Sequence, residues 1–317
     1  PGAAAVPGKQ LLIRQVDEER TWHRSTARLM GSPSEILIDG PAELIPLGFS
    51  RLRQLEQAWS RFLPDSELNR LQERRGSWLE CSDDLVAALR LGRQMHAETQ
   101  GLFDPTIRTS LEQHGYDRTF AEIVERATTS SKPIVAMPAP GFDGVEISAN
   151  WVRLADGVSI DLGGIGKGLA ADIVADELIA AGANSAYVCL GGDIRAAGEP
   201  VDENGWRVPL LHPVTGEPID HHALYSGALV MSTVAIRRWT FGDVEHHHII
   251  DPRSGRPADT DLIAVAVADH SAARGEALAK AAIIAGSAAG AVLLRAADVK
   301  AWMVTDEGVH VVQESDQ

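Results

Sequence analysis

Apolar residues recur at spacings of three and four in several stretches of the chain, and each stretch predicts a helix. Over 44–62 they are Leu52, Leu55, Ala58, Trp59 and Phe62. Over 83–99 Leu85, Ala88, Leu89, Leu91 and Met95 share one face, and Gly101 follows as a stop. Over 169–181 the face is Leu169, Ile173, Val174, Leu178 and Ile179, ended by Gly182. A further helix is predicted over 274–285 and stops at Gly286. Shorter apolar runs predict strands over 28–38 (interrupted at Gly31-Ser32-Pro33), 145–150, 151–160, 185–190, 207–211, 228–232 and 263–267. A stretch with three prolines, 130–141, reads as a connector. Strands and helices alternate without a regular βαβ rhythm, which predicts an α+β fold over a doubly wound sheet.

Bulk composition narrows the function classes. The 317 residues are 44% hydrophobic and 23% charged, ordinary for a globular protein able to bury a core without disulfides. The net charge of -15, with no offsetting basic run, argues against a nucleic-acid surface. A chain this acidic needs placed cations, backbone amides or a divalent metal to handle an anionic ligand. Cys81 and Cys189 form no paired motif, and Cys189 sits in an apolar run where a buried thiol is expected. No apolar run is counted as long enough for a membrane span, and residues 1–10 lack the pattern of a signal peptide.

Two segments carry candidate chemistry. Asp161-Leu162-Gly163-Gly164-Ile165-Gly166-Lys167-Gly168 lies between a predicted strand and a predicted helix. A turn poor in Cβ atoms lets amides approach a phosphate, and the helix end and Lys167 add positive charge. It is not a P-loop, because Asp161 stands where the first glycine belongs and Gly168 where Ser or Thr belongs. It is not a dinucleotide fingerprint either, because Leu169 stands at the last glycine position. A plain structural turn stays open as a reading. The second segment is His246-His247-His248-Ile249-Ile250-Asp251-Pro252-Arg253, followed by Arg256. A histidine suits proton transfer near neutral pH, Asp251 is near enough to orient a ring, and the arginines suit phosphate. On a strand only His246 and His248 share a face, and a solvated histidine run stays open.

Six segments taken together resemble the FAD:protein FMN transferase (ApbE-like) family. They are Met30-Gly31-Ser32, Ser66-Glu67-Leu68-Asn69, Gly101-Leu102-Phe103-Asp104-Pro105-Thr106, the glycine turn 161–168, Gly191-Gly192-Asp193, and His247 through Pro257. They occur in the family's order across almost the whole chain. The resemblance implies one domain over 28–310, between an extension 1–27 and a tail 311–317. It implies an α+β fold of mixed or antiparallel sheets with flanking helices, in two lobes around an FAD cleft. It implies FAD as the ligand and an acceptor protein whose Thr or Ser hydroxyl takes FMN with release of AMP. His248 would take the hydroxyl's proton, beside Asp251. Met30, Ser66, Asn69, Phe103, Asp104, Asp161, Gly164, Lys167, Asp193, Ser232, His247 and Lys280 would contact the dinucleotide.

The family's Mg²⁺ site is altered. A helix near the end of the family's chain carries Asp and, four positions later, Thr, with a main-chain oxygen from the glycine turn, here Gly166. In this chain Glu276 and Lys280 take those two places. Either a metal still binds at Gly166 and Glu276, or the Lys280 ammonium replaces it. Met231-Ser232-Thr233 departs from a family Thr-Ser-Gly. An FAD-binding protein without chemistry, or a hydrolase making FMN and AMP, are the alternatives. Exported relatives carry a leader; none is read here, so a cytoplasmic protein is expected.

Overall fold

The computed structural model describes residues 20–126 and 134–313, so the first part of the predicted connector lies outside the described residues. Its centre is an eight-stranded sheet. The strands are β1 (Trp22–Leu29), β2 (Ser32–Asp39), β3 (Ser185–Leu190), β4 (Asp193–Gly198), β5 (Gly227–Thr233), β6 (Leu262–Asp269), β7 (Lys300–Thr305) and β8 (Gly308–Val312). They lie side by side in chain order, and each neighbouring pair is antiparallel. The sheet extends past both ends of the expected 28–310 unit. The break expected at 31–33 is the tight turn between β1 and β2, where Met30 and Gly31 both take positive φ (51° and 69°).

Alternation along the strands builds two cores. Ile36, Ile38, Ala186, Val188, Leu190, Val230, Val265, Val267 and Met303 point to one face. That face is covered by α1 (Leu44–Trp59), α3 (Gly166–Ala180) and α4 (Ala272–Ala296), with α2 (Asp83–Glu98) joining the same core. The intervening Leu37, Tyr187, Ile194, Leu229, Ala266 and Trp302 point the other way. There they meet Trp206, Val208 and Leu210 of a hairpin formed by Trp206–Leu211 and Pro218–Leu224. Burial on both faces is why these strands read as continuous apolar runs. A small sheet of Leu79–Glu80, Trp151–Leu154 and Val145–Ser148 stands apart. The strand expected over 151–160 therefore ends at Leu154.

The helix stop expected at Gly286 is real, but the helix resumes. Gly286 leaves helical geometry (φ 79°), and Asp261 accepts from the Ser287 amide at 2.9 Å to cap the second half. By length and composition α4 is apolar enough to cross a membrane, contrary to the sequence count; in this fold 56% of its most apolar window is buried in the protein. Cys81 is buried, its thiol pushed up to about 12 by burial, whereas Cys189, expected to be buried, is half-buried.

α3 and α4 cross at Gly168. A Cβ there would stand 2.5 Å from the Ala272 carbonyl carbon and 2.6 Å from the Ala273 nitrogen. One turn on, Asp172 caps α4 by accepting from Ala272 N (2.9 Å), Ala273 N (3.1 Å) and Ser271 Oγ (2.8 Å). The contact is backbone on backbone, so it has no flexible partner to give way. Gly168→Ala is expected to destabilise the fold by about 1–3 kcal/mol in urea unfolding. An unchanged midpoint would mean that the helices do not cross this closely.

Candidate active site

The glycine turn delivers Lys167 into the first turn of α3, and Gly191-Gly192 turns the chain so that Asp193 begins β4 beside it. The Lys167 ammonium donates to Asp193 Oδ2 and to Glu276 Oε1 (2.7 Å). Glu276 enters from α4, and its Oε2 accepts from the Gly168 amide at 2.7 Å. One helical turn further, Lys280 Nζ lies 3.3 Å from the same Glu276 Oε1 and 3.3 Å from Ser232 Oγ on β5. Asp193 Oδ1 in turn accepts from the Met231 amide at 3.3 Å. Two cations and two anions, all mostly buried, thus tie α3, β4, β5 and α4 together. Burial pushes the Glu276 carboxyl up, but the ammonium groups of Lys167 and Lys280 and the two hydrogen bonds outweigh it and hold it at about 2. Burial alone would lower Lys167; Asp193 and Glu276 raise it instead, so it stays charged.

Beside this cluster lies a cavity. Its wall includes the glycine turn at Gly163 and Gly164, the rings of Phe62, Phe103 and Tyr116, and the charged groups Arg61, Asp104, Asp161, Arg237 and Lys280. Gly164 is pressed against two of these, since a Cβ there would be 2.9 Å from Phe103 and 3.7 Å from Lys280 Cδ. His248 also lines the cavity, and its Nδ1 is buried with no hydrogen-bond partner. Burial, and then the positive charge of Arg237 and Lys280, lower the His248 pKa well below the ordinary 6.5. At neutral pH the ring is an uncharged base facing a cavity that carries three cations.

Sequence comparison assigns the architecture. The family model of the ApbE family matches residues 30–303. The chain belongs to the ApbE family. It is similar to the FAD:protein FMN transferase of Treponema pallidum, 31% identical over 78% of this chain and 72% of that protein. The Vibrio cholerae enzyme of the same name is 25% identical over 81% of this chain and 78% of its own length. The Rhodobacter capsulatus relative is 29% identical over 75% of this chain, but the chain spans only 45% of it. Among solved structures, the ApbE protein of Thermotoga maritima superposes with a TM-score of 0.82 over 93% of this chain and 97% of its own, at 22% identity. The flavin transferase ApbE of Vibrio cholerae gives 0.77 over 93% and 98%, also at 22% identity.

This ApbE-family chain brings some predicted residues to the cavity and withholds others. Phe103, Asp104, Asp161, Gly164, Lys280 and His248 line it. Lys167, Asp193 and Ser232 stand behind, in the charge cluster. Ser66 and Asn69 do not line it. Ser66 caps the helix Glu67–Glu73, and Asn69 donates to the carbonyls of Arg61 (3.0 Å) and Leu63 (2.8 Å), so both shape the loop that presents Arg61 and Phe62. Met30 sits on the far side of the turn, its Cε 4.0 Å from a Cβ at Gly166. Two of the turn's amides are already taken by carboxylates: Gly163 N donates to Asp161 (2.6 Å) and Gly168 N to Glu276.

The histidine run also resolves differently from its alternation. Strand Val244–His247 ends before His248, so His246 and His248 do not share a face. His246 is buried against His114, Trp239 and Phe241, with ring centroids 5.0, 6.1 and 6.4 Å away. His247 is turned to the backbone: its Nε2 is 3.1 Å from Ala258 O, and its Nδ1 accepts from the Ile249 amide at 3.3 Å. Asp251 does not reach His248. Its carboxylate pairs with Arg253 (Nε to Oδ1 2.9 Å, Nη2 to Oδ2 2.8 Å) and pins the turn that follows.

Sequence reading missed Arg61, Arg237 and the aromatic pair Phe62 and Tyr116. Arg61 is buried, pairs with Asp161 (Nε to Oδ2 2.6 Å) and lies 4.1 Å over Phe62 and 4.7 Å over Tyr116. The available signal was Arg61-Phe62, a cation next to an aromatic ring four residues before the Ser66-Asn69 segment.

His114, His246 and His247 all have pKa values lowered first by burial. Their folded forms therefore favour the neutral ring. The stability that depends on neutrality is complete above the ordinary value of 6.5 and is lost as pH falls through the lowered folded values. Thermal unfolding is expected to move to lower temperature below about pH 6.5, by up to about 1.4 kcal/mol per pH unit for each histidine. His246→Phe should flatten that slope; an unchanged slope would remove His246 from the account.

Proposed function

We propose that this chain transfers FMN from FAD to the hydroxyl of a Thr or Ser on an acceptor protein, releasing AMP. The observation that carries this reading is His248: a neutral imidazole in the cavity, next to Arg237 and Lys280, in a chain of the ApbE family. The chemistry needs a base for one proton and positive charge for a dianionic pyrophosphate. It needs little else beyond positioning. The acceptor oxygen attacks the phosphorus of the FMN half. The bond from that phosphorus to the bridging oxygen breaks, and AMP leaves with the electron pair. The hydroxyl proton passes to the His248 ring.

The other groups divide the remaining work. Lys280 and Arg237 offer charge to the pyrophosphate, which an overall net charge of -15 would otherwise repel. Phe62, Phe103 and Tyr116 offer faces for planar rings. Leu102, Leu111, Ile249 and Ile284 make much of the wall apolar, which disfavours a stray water over the acceptor hydroxyl. That wall favours transfer over simple hydrolysis to FMN and AMP.

The test is an incubation with FAD and an acceptor carrying an exposed Thr, followed by mass spectrometry of the acceptor and assay of AMP. Flavin mass on the acceptor with matching AMP is expected; free FMN with AMP would mean a hydrolase, and no AMP a binding protein. His248→Ala is expected to lower kcat by about 10²–10⁴-fold while FAD affinity holds. Because burial lowers the His248 pKa in the free protein, the base is unprotonated until the pH drops below 6.5, so the acid limb of kcat/KM should lie under that value. A limb centred at or above pH 6.5 would contradict the assignment.

A further inference from the structure

The family resemblance raises a divalent metal at Glu276, and the residues here do not fit one. Both Glu276 oxygens are engaged: Oε2 by the Gly168 amide at 2.7 Å, and Oε1 by Lys167 at 2.7 Å and Lys280 at 3.3 Å. A magnesium ion needs oxygen ligands in a near-ideal octahedron. The position four residues after Glu276 presents an ammonium, which offers no lone pair and repels a cation. Ser232, the nearest hydroxyl, lies within 3.3 Å of that ammonium. Among the described residues no group of three His, Cys, Asp or Glu side chains is placed to hold a metal ion. Charge points the same way. Lys167 and Lys280 already balance Asp193 and Glu276, so neither of these two carboxylates calls for a dication.

Lys280 is also where a phosphate-facing cation belongs. Its side chain passes along Gly164 of the glycine turn, 3.7 Å from a Cβ built there, and lines the same cavity as His248. Glu276 (Oε1 at 3.3 Å, main-chain O at 3.4 Å) and Ser232 (Oγ at 3.3 Å) hold the ammonium from behind by three long contacts, any of which a phosphate oxygen on the cavity side can replace. A lysine ammonium is a compact point charge suited to phosphate oxygens.

We infer that the Lys280 ammonium takes the place of a divalent metal ion in this chain, and that the dinucleotide binds and reacts without one. The inference rests on FAD being the ligand of this cavity. Transfer of the FMN phosphorus is unchanged in atoms and electrons; only the source of the neutralising charge differs.

The experiment measures FAD affinity of the full chain by flavin fluorescence in EDTA and in excess Mg²⁺, and titrates Mn²⁺ into the protein alone by electron paramagnetic resonance. Affinity equal within about twofold in the two buffers, with a free-ion Mn²⁺ spectrum, is the expected result. Lys280→Gln should then weaken FAD binding in EDTA by about tenfold or more, and Lys280→Arg should restore much of it. FAD affinity that falls about tenfold in EDTA, stoichiometric Mn²⁺ binding, or full affinity in Lys280→Gln would each overturn the inference while leaving transferase function standing. Failure of FAD to bind in either buffer would overturn the functional reading, and this inference with it.

Discussion

The Glu276 carboxylate is the contact on which the site depends. It reaches from α4 across the helix crossing, accepts the first-turn amide of Gly168, and holds both Lys167 and Lys280. It can do so because Gly168 lets the helices approach until backbone meets backbone, and because Asp172 fixes the start of α4 one turn away. Breaking such a buried pair by removing one partner costs about 3–5 kcal/mol, because the charge left behind has neither water nor counter-ion. The strands β4 and β5 are drawn in through Asp193, which takes Lys167 with one oxygen and the Met231 amide with the other. The charges are therefore architecture first, and only the outermost of them, Lys280, faces the cavity.

That arrangement answers a problem set by composition. A chain of net charge -15 has to meet an anionic ligand. It does so by concentrating three cations, Arg61, Arg237 and Lys280, on one cavity wall, each backed by a partner that keeps it oriented. Burial first, and then the same positive field, keeps His248 in its neutral form. Charge neutralisation of the ligand and the unprotonated state of the base thus draw on one set of side chains, and Lys280 belongs to both effects.

Much of the fold was legible along the chain because its signals are local. Periodicity of three and four located four long helices, and the apolar runs at 185–190, 228–232 and 263–267 became β3, β5 and β6. Strands β4, β7 and β8 escape the sequence reading because they begin or run beside charged and small residues, and β8 is largely exposed. The expected sharing of a face by His246 and His248 failed because strand pairing stops at His247, a limit set by the partner strand Arg238–Phe241. Sequence proximity puts Asp251 beside a histidine, but Arg253 is closer still and offers a two-pronged partner. The resemblance gives Ser66 and Asn69 to the ligand, whereas Ser66 caps a helix and Asn69 donates to the loop that carries Arg61. The substitution at Glu276 and Lys280 was visible in sequence, but only the three-dimensional arrangement shows both Glu276 oxygens already engaged.

The most direct test of this account is a double-mutant cycle between Lys167→Met and Glu276→Gln, read as unfolding free energy and as FAD affinity. If the buried charges form one unit, the double variant loses less than the sum of the single losses, by at least about 1 kcal/mol in stability. Its FAD affinity should likewise be no worse than that of the poorer single variant. Strictly additive losses would mean that Lys167 and Glu276 act independently, and the cluster would not be what organises the site.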